Sequence, residues 1–264
     1  RTGVVAAAHT AGGLRFAGQA LAEAFDPAGY FPGGRIVDWP AHPLRALLIH
    51  MSHYDPRWCS WKRKEKPIDM DVAGNVIREA ARARFNAIMI DVADGVIYRT
   101  HPELKRRYSV PMASLRKLVR LAESLGMEII PKLNFSKSFH RHHHNKWMRP
   151  YNKLSDNDEY YRHAFALMVE LVRVTRPRYF HIGMDEDNEH TLKSYVSKVT
   201  ALRNWLKDRE IRTVQWVDLG KLWQPEVERK MRAAVGRLPK DVMLTYWAYG
   251  GREFNWISKG EFRP

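Results

Sequence analysis

Tyr179-Phe180-His181-Ile182-Gly183-Met184-Asp185-Glu186 passes from an apolar run, through a glycine, into two adjacent carboxylates. The run 179–182 has the length of a buried strand, and the acids begin where the apolar character ends. Two acids on turning backbone project in different directions, so they can take separate roles at one substrate. Hydrogen bonds can keep one ionised, while like-charge repulsion and apolar walls keep the other protonated. The competing bland reading is a helix N-terminus, where acids complement the helix dipole.

Further apolar runs lie at 44–51, 86–90, 128–133, 213–217 and 242–247. The stretches between them have helical spacing. Leu115, Leu118, Val119 and Ala122 fall at i, i+3, i+4 and i+7, as do Ala164, Leu167, Met168 and Leu171. Ser155 or Asp156 is available to cap the second of these helices, and Gly126 stands where a C-terminal cap belongs. Strand and helix in alternation imply parallel strands joined by crossover helices, and continuous apolar runs imply strands covered on both faces. A doubly wound sheet and a barrel both satisfy that pattern. Asp91 and Asp94, Asn134, Asp185 and Glu186, Asp218, and Tyr246 with Trp247 each follow a different run. A barrel brings the C-terminal ends of its strands to one mouth, so the expected fold is α/β, a (β/α)8-type TIM barrel. Six runs are evident where eight are needed, so the barrel is expected to be incomplete or open unless 254–262 supplies a strand. Residues 39–264 are assigned to the barrel. Residues 1–38, with a strand-like 4–8 and an amphipathic 14–25, are assigned to an N-terminal extension or the remnant of a small α/β domain.

A length of 264 residues, 45% of them hydrophobic, is enough to bury one sizeable core. No apolar run approaches the roughly 20 residues of a membrane helix, which predicts a soluble protein without a membrane span. The single cysteine, Cys59, cannot form an internal disulfide. The sequence opens at Arg1 with neither an initiator Met nor an apolar signal segment, so any targeting peptide is expected to have been removed or never included. The excess of 44 Lys and Arg over 29 Asp and Glu gives a formal charge of +15, which draws anionic partners through the summed field. The basic residues are scattered, apart from Lys62-Arg63-Lys64 and Lys105-Arg106-Arg107. With no zinc-finger spacing and no glycine-rich phosphate loop, specific nucleic-acid recognition is not expected. His140, His142, His143 and His144 raise the question of a metal. Adjacent histidines in a basic loop lack the spacing of a tight site, so no metal and no cofactor is expected. His181 is expected to be structural, bonded to a neighbouring carboxylate.

His181-Ile182-Gly183-Met184-Asp185-Glu186 resembles the His-x-Gly-x-Asp-Glu signature of glycoside hydrolase family 20, the β-N-acetylhexosaminidases. Ile36-Val37-Asp38-Trp39-Pro40 and Arg45-Ala46-Leu47-Leu48-Ile49 are similar to that family's entry into its first barrel strand. The stretch 86–94 resembles the second strand, with Asp94 at the family's strand-end aspartate. Gly126-Met127-Glu128-Ile129-Ile130-Pro131 is similar to the third strand, and Gln215-Trp216-Val217-Asp218 to a later Trp-x-Asp strand end. Residues 12–21 are similar to the helix that closes the small domain ahead of the family's barrel. The resemblance implies a substrate-assisted retaining mechanism, a known exception to the two-carboxylate scheme. The substrate's own 2-acetamido oxygen would attack the anomeric carbon. Glu186 would protonate the leaving oxygen and later activate water. Asp185 would orient the acetamido N–H and stabilise the positive charge that develops. Tyr246 or Tyr249 would steady the acetamido oxygen, and Trp216, Trp247 and Trp256 would wall the sugar pocket. It further implies an oligosaccharide or polysaccharide substrate and a periplasmic or secreted location.

The chain departs from the family's pattern at three strand ends. His53, with Arg57 shortly after it, stands where an arginine clamps the terminal sugar, and His50 stands where an aspartate is usual. Asp91 occupies a position where histidine is usual. The third strand, normally continued as Glu-x-Asp-x-Pro-Gly-His, reads Lys132-Leu133-Asn134-Phe135-Ser136-Lys137 and enters a basic, histidine-rich loop. The expected site is therefore Asp185 and Glu186 as catalytic residues, with His53, Asp94, Asn134, Trp216, Asp218, Tyr246 and Trp247 binding the substrate. Lys132, the basic loop and the net charge point to an anionic glycan. Two other functions fit the sequence: a catalytically silent glycan-binding barrel, and a hydrolase of the same fold shifted to another glycan.

Overall fold

The computed structural model describes residues 4–25, 28–30, 33–52, 66–137, 147–154, 156–217 and 225–246. Its main sheet has six strands: β1 (Ala46–His50), β2 (Ala87–Asp91), β5 (Glu128–Lys132), β6 (Tyr179–His181), β7 (Arg212–Val217) and β8 (Met243–Tyr246). They pair in that order, every pair parallel. The two-residue strands β3 (Val96–Ile97) and β4 (Val110–Pro111) pair separately in the loop after β2. The crossovers are α2 (Met70–Arg82), α3 (Met112–Ser124), α4 (Asp158–Thr175), α5 (Leu192–Lys207) and α6 (Pro225–Val235). A doubly wound sheet reverses its strand order partway, whereas here each crossover steps one strand onward in the same sense. Right-handed crossovers then put all the helices on one face and leave the other to curl into a barrel interior.

The two faces bury different residues. Alternate strand residues such as Ile88, Ile90, Ile129 and Phe180 join the large core shared with the helices. Their neighbours Ala87, Met89 and Ile130 form a small inner cluster with Leu48 and Trp216 packed against it. The helical spacing read from the sequence is the buried face in each case. Leu115, Leu118, Val119 and Ala122 of α3 are buried, as are Ala164, Leu167, Met168 and Leu171 of α4. Each such leucine stabilises the fold by about 1.5–3 kcal/mol through burial. Gly126 follows the end of α3 with φ of 68°, a left-handed conformation that an L side chain resists. The cap of α4 is Asn157 rather than Asp156, its side chain accepting from the Tyr160 N–H, while Ser155 lies outside the described residues. Asp156 is committed elsewhere.

Residues 4–8 pair with no strand, contrary to expectation, while α1 (Ala11–Ala24) forms as a helix with no buried residue. It lies against the C-terminal ends of α2 and α3. Gln19 donates to the Ala81 carbonyl at 3.1 Å, and Arg15 donates to that of Leu125. Helix C-termini sit at the end of the barrel opposite the strands' C-terminal mouth, so the extension is remote from any site there. The run 254–262 lies outside the described residues. No helix among the described residues is long and apolar enough to cross a membrane.

Candidate active site

His50, Asp91, Lys132 and His181 end four neighbouring strands and occupy one register row. Lys132 Nζ donates to Asp91 Oδ2 at 2.5 Å, and His50 Nδ1 lies 3.2 Å from the same oxygen. Burial alone would raise the pKa of Asp91, but Lys132 and His50 outweigh it and hold the carboxyl well below the usual range. His50 and Asp91, two of the departures noted in the sequence, thus face each other across β1 and β2. Lys132 is almost fully buried and spends its charge on Asp91, so it offers no cation to an anionic sugar.

Burial and the nearby Lys132 ammonium push His181 down to about 3, against the pull of Asp185 and Asp91. The ring is neutral. Its Nδ1 accepts from the Gly183 N–H at 3.0 Å, which assigns the proton to Nε2, facing Thr245 Oγ1 at 3.3 Å. Thr245 in turn donates to the Gln215 carbonyl at 2.8 Å. The expected carboxylate partner for His181 is therefore replaced by a backbone N–H and a hydroxyl. Thr245 carried no signal in the sequence, because its role depends on the pairing of β7 with β8.

The backbone beyond His181 passes through the left-handed region at Gly183 (φ 74°), Met184 (74°) and Glu186 (50°). Such conformations cost non-glycine residues about 1–3 kcal/mol each and persist only where the surroundings enforce them. Asn134 is the enforcing residue. A Cβ on Gly183 would lie 2.3 Å from Asn134 Oδ1 and 2.5 Å from Asn134 Cα, so only glycine fits. Asn134 Oδ1 accepts from the N–H groups of Met184 and Ser136, each at 3.1 Å. That fixes the amide orientation and turns Nδ2 onto Asp185 Oδ1 at 2.9 Å. Trp147 Nε1 donates to the Asn134 carbonyl at 2.7 Å, and the Tyr195 hydroxyl donates to that of Met184 at 3.3 Å. Asp185 and Glu186 are half-buried. They are not the first turn of a helix: α5 begins at Leu192, is capped by Thr191 and has no acid in its first turn.

The remaining expected residues divide. Asn134 meets Asp185, as described. Asp94 is fully buried, and its carboxylate accepts from the Tyr108 hydroxyl at 2.7 Å and Arg106 Nε at 3.1 Å. It ties down the loop after β2, which leaves no exposed surface for direct sugar contact. Trp216 is half-buried on the inner face, its ring centroid 4.7 Å from that of His181. Tyr246 packs against the helix-side core together with Leu244, because alternation along β8 sends Thr245 inward and its neighbours outward. His53, Asp218 and Trp247, together with Tyr249, Trp256 and the cluster His140, His142, His143 and His144, lie outside the described residues. Among the described residues, no group of three or more His, Cys, Asp or Glu could hold a metal ion.

Among the described residues, the sheet and its acidic strand end define a six-stranded parallel α/β half-barrel whose C-terminal rim carries two half-buried carboxylates. Solved structures that share this fold include enzymes of glycoside hydrolase family 20. The β-N-acetylhexosaminidase of Streptomyces coelicolor A3(2) superposes with a TM-score of 0.65 at 16% identity, over 94% of this chain and 54% of that one. A mutant Streptomyces plicatus β-hexosaminidase in complex with product GlcNAc gives 0.65 at 17%, over 94% and 53%. Flavobacterium johnsoniae chitobiase gives 0.63 at 19%, over 89% and 43%. The chain thus has the fold of these enzymes and spans about half the length of each. No protein-family model and no curated protein matches it.

Proposed function

We propose that the chain is a divergent member of glycoside hydrolase family 20 that cleaves a 2-acetamido sugar with the help of the substrate's own acetamido group. The observation that carries this reading is the Asn134–Asp185 hydrogen bond, made possible by the side-chain-free approach at Gly183. It gives Asp185 an N–H donor, which favours the ionised form. An ionised Asp185 can accept from an acetamido N–H, turn the acetamido oxygen toward the anomeric carbon, and stabilise the cation that forms. Glu186, held beside it on a different backbone direction, protonates the departing oxygen and then takes a proton from the incoming water. Both steps need Glu186 to change protonation state, and neither needs it to be a nucleophile. Tyr249 is the better candidate for the acetamido oxygen, since Tyr246 packs toward the helices.

Loss of the Lys132 charge to Asp91 removes one support for an anionic substrate and favours a neutral 2-acetamido sugar. The test is hydrolysis of an aryl 2-acetamido-2-deoxy-β-glycoside, measured beside Glu186→Gln and a 2-hydroxy analogue. Turnover that requires both Glu186 and the acetamido group supports the proposal. Binding without turnover in the wild-type protein identifies a glycan-binding barrel instead, and equal turnover of the 2-hydroxy analogue rules out substrate assistance.

A further inference from the structure

Directly after Glu186 lies a buried charge cluster that the chemistry above does not use. Asp187 is fully buried, and its carboxylate accepts from the Lys137 N–H at 2.8 Å, the His190 N–H at 3.2 Å and Lys230 Nζ at 2.9 Å. Lys230, on α6, also donates to the carbonyls of Asp187 and His190. His190 joins this group to the loop ahead of α4. Its Nδ1 lies 2.5 Å from Asp187 Oδ2, and its Nε2 lies 2.6 Å from Asp156 Oδ2. Lys198, fully buried on α5, donates to Asp156 Oδ1 at 2.9 Å, and Lys137 Nζ stands 3.6 Å from the same oxygen.

Both ring nitrogens of His190 face carboxylate oxygens at hydrogen-bond distance. A neutral imidazole has one N–H and would turn a lone pair onto the other carboxylate, so only the imidazolium satisfies both. We propose that charged His190 is a positioning residue for Glu186, bridging Asp187 to Asp156 so that the left-handed peptide carrying Glu186 is held from its C-terminal side as Asn134 holds it from the other. The groups facing this imidazolium are Asp187 on the β6 loop, Asp156 ahead of α4, Lys198 on α5, Lys230 on α6 and Lys137 after β5. Two carboxylates are thus shared among three lysines and the histidine, and loss of the histidine proton removes the side chain that hydrogen-bonds to both acids. Burial opposes the charge on His190, but its hydrogen bonds to Asp156 and Asp187 outweigh it and raise its pKa. A raised pKa means that the bridge is intact at acidic pH and is lost as pH rises through the histidine's own titration, which lies above that of a free imidazole.

The inference rests on Glu186 acting as the general acid, and the experiment separates the two ideas. His190→Gln is compared with wild type on two aryl 2-acetamido glycosides, one releasing phenol and one releasing 2,4-dinitrophenol. Only phenol needs protonation as it leaves, so a misplaced general acid slows that substrate selectively. Expected is a fall in kcat/KM of at least about tenfold for the phenyl glycoside and less than about threefold for the dinitrophenyl one, within the range a general acid contributes. An equal fall for both would mean a structural role and overturn the proposal, as would no fall. If wild type hydrolyses neither substrate, the hydrolase reading fails alone. The bridge is then judged in unaltered protein by NMR. A Glu186 carboxyl ¹³C shift that moves at the His190 midpoint supports it, and one that ignores that midpoint overturns it.

Discussion

Replacing Asn134 by aspartate keeps the shape of the site and changes one group, so its consequence can be worked out from the geometry. One oxygen of the new carboxylate would accept from Met184 and Ser136 as Asn134 Oδ1 does now, at 3.1 Å. The other would face Asp185 Oδ1 from the present position of Nδ2, at 2.9 Å, without a hydrogen to offer. Two facing carboxylates at that contact have charge centres about 4 Å apart. At an effective dielectric near 20 they repel by about 4 kcal/mol, or about three pKa units. From the reference carboxylate value near 4, the second ionisation of the pair would move up to about pH 7. A carboxyl whose folded pKa is raised leaves stability intact below its unfolded value and removes it as pH rises through the folded value. Asn134→Asp should therefore cost almost nothing at pH 4, about 1.5 kcal/mol at pH 5 and about 4 kcal/mol above pH 7. For a chain of this size that corresponds to a fall in Tm of about 10 °C at pH 8. Thermal unfolding of variant and wild type from pH 4 to 8 reads this directly, with no need of a substrate. A Tm difference that is constant across that range would refute the claim that Asn134 faces an ionised Asp185.

Gly183→Ala should cost at least about 3 kcal/mol, because it adds a clash with Asn134 to a positive φ, and calorimetry measures it. The same variant should lose turnover before it loses fold, since the atom it displaces is the one that orients Asp185. Lys132→Met leaves Asp91 buried with His50 alone and should cost about 3–5 kcal/mol at neutral pH. Because the Asp91 pKa is depressed, that cost should shrink as pH falls below about 4, and Lys132→Met combined with Asp91→Asn should recover most of the stability by denaturant titration. His181, pushed down to about 3, should show no imidazole titration between pH 5 and 8, in contrast to an exposed histidine near 6.5; a midpoint above 5 by NMR would contradict its burial as a neutral acceptor.

The sequence by itself determined the alternation of strands and helices, the buried faces of α3 and α4, and the strand end at which Asp185 and Glu186 sit. These follow from periodicity and from the change from apolar to acidic residues, which are local properties of the chain. It also showed that His50, Asp91, Lys132 and Asn134 are unusual for the family it resembles, although not what they do. Only the tertiary structure decided that His50 and Asp91 form one pair, that Lys132 is neutralised by Asp91, and that Asn134 orients Asp185. It also turned Tyr246 toward the helices and Asp94 toward Arg106 and Tyr108. The physical reason is that strand register and side-chain alternation choose which residues from distant segments share an atom's surroundings. Asp156 and His190, 34 residues apart, meet at 2.6 Å only because the β5–α4 and β6–α5 loops rise side by side at the barrel's mouth.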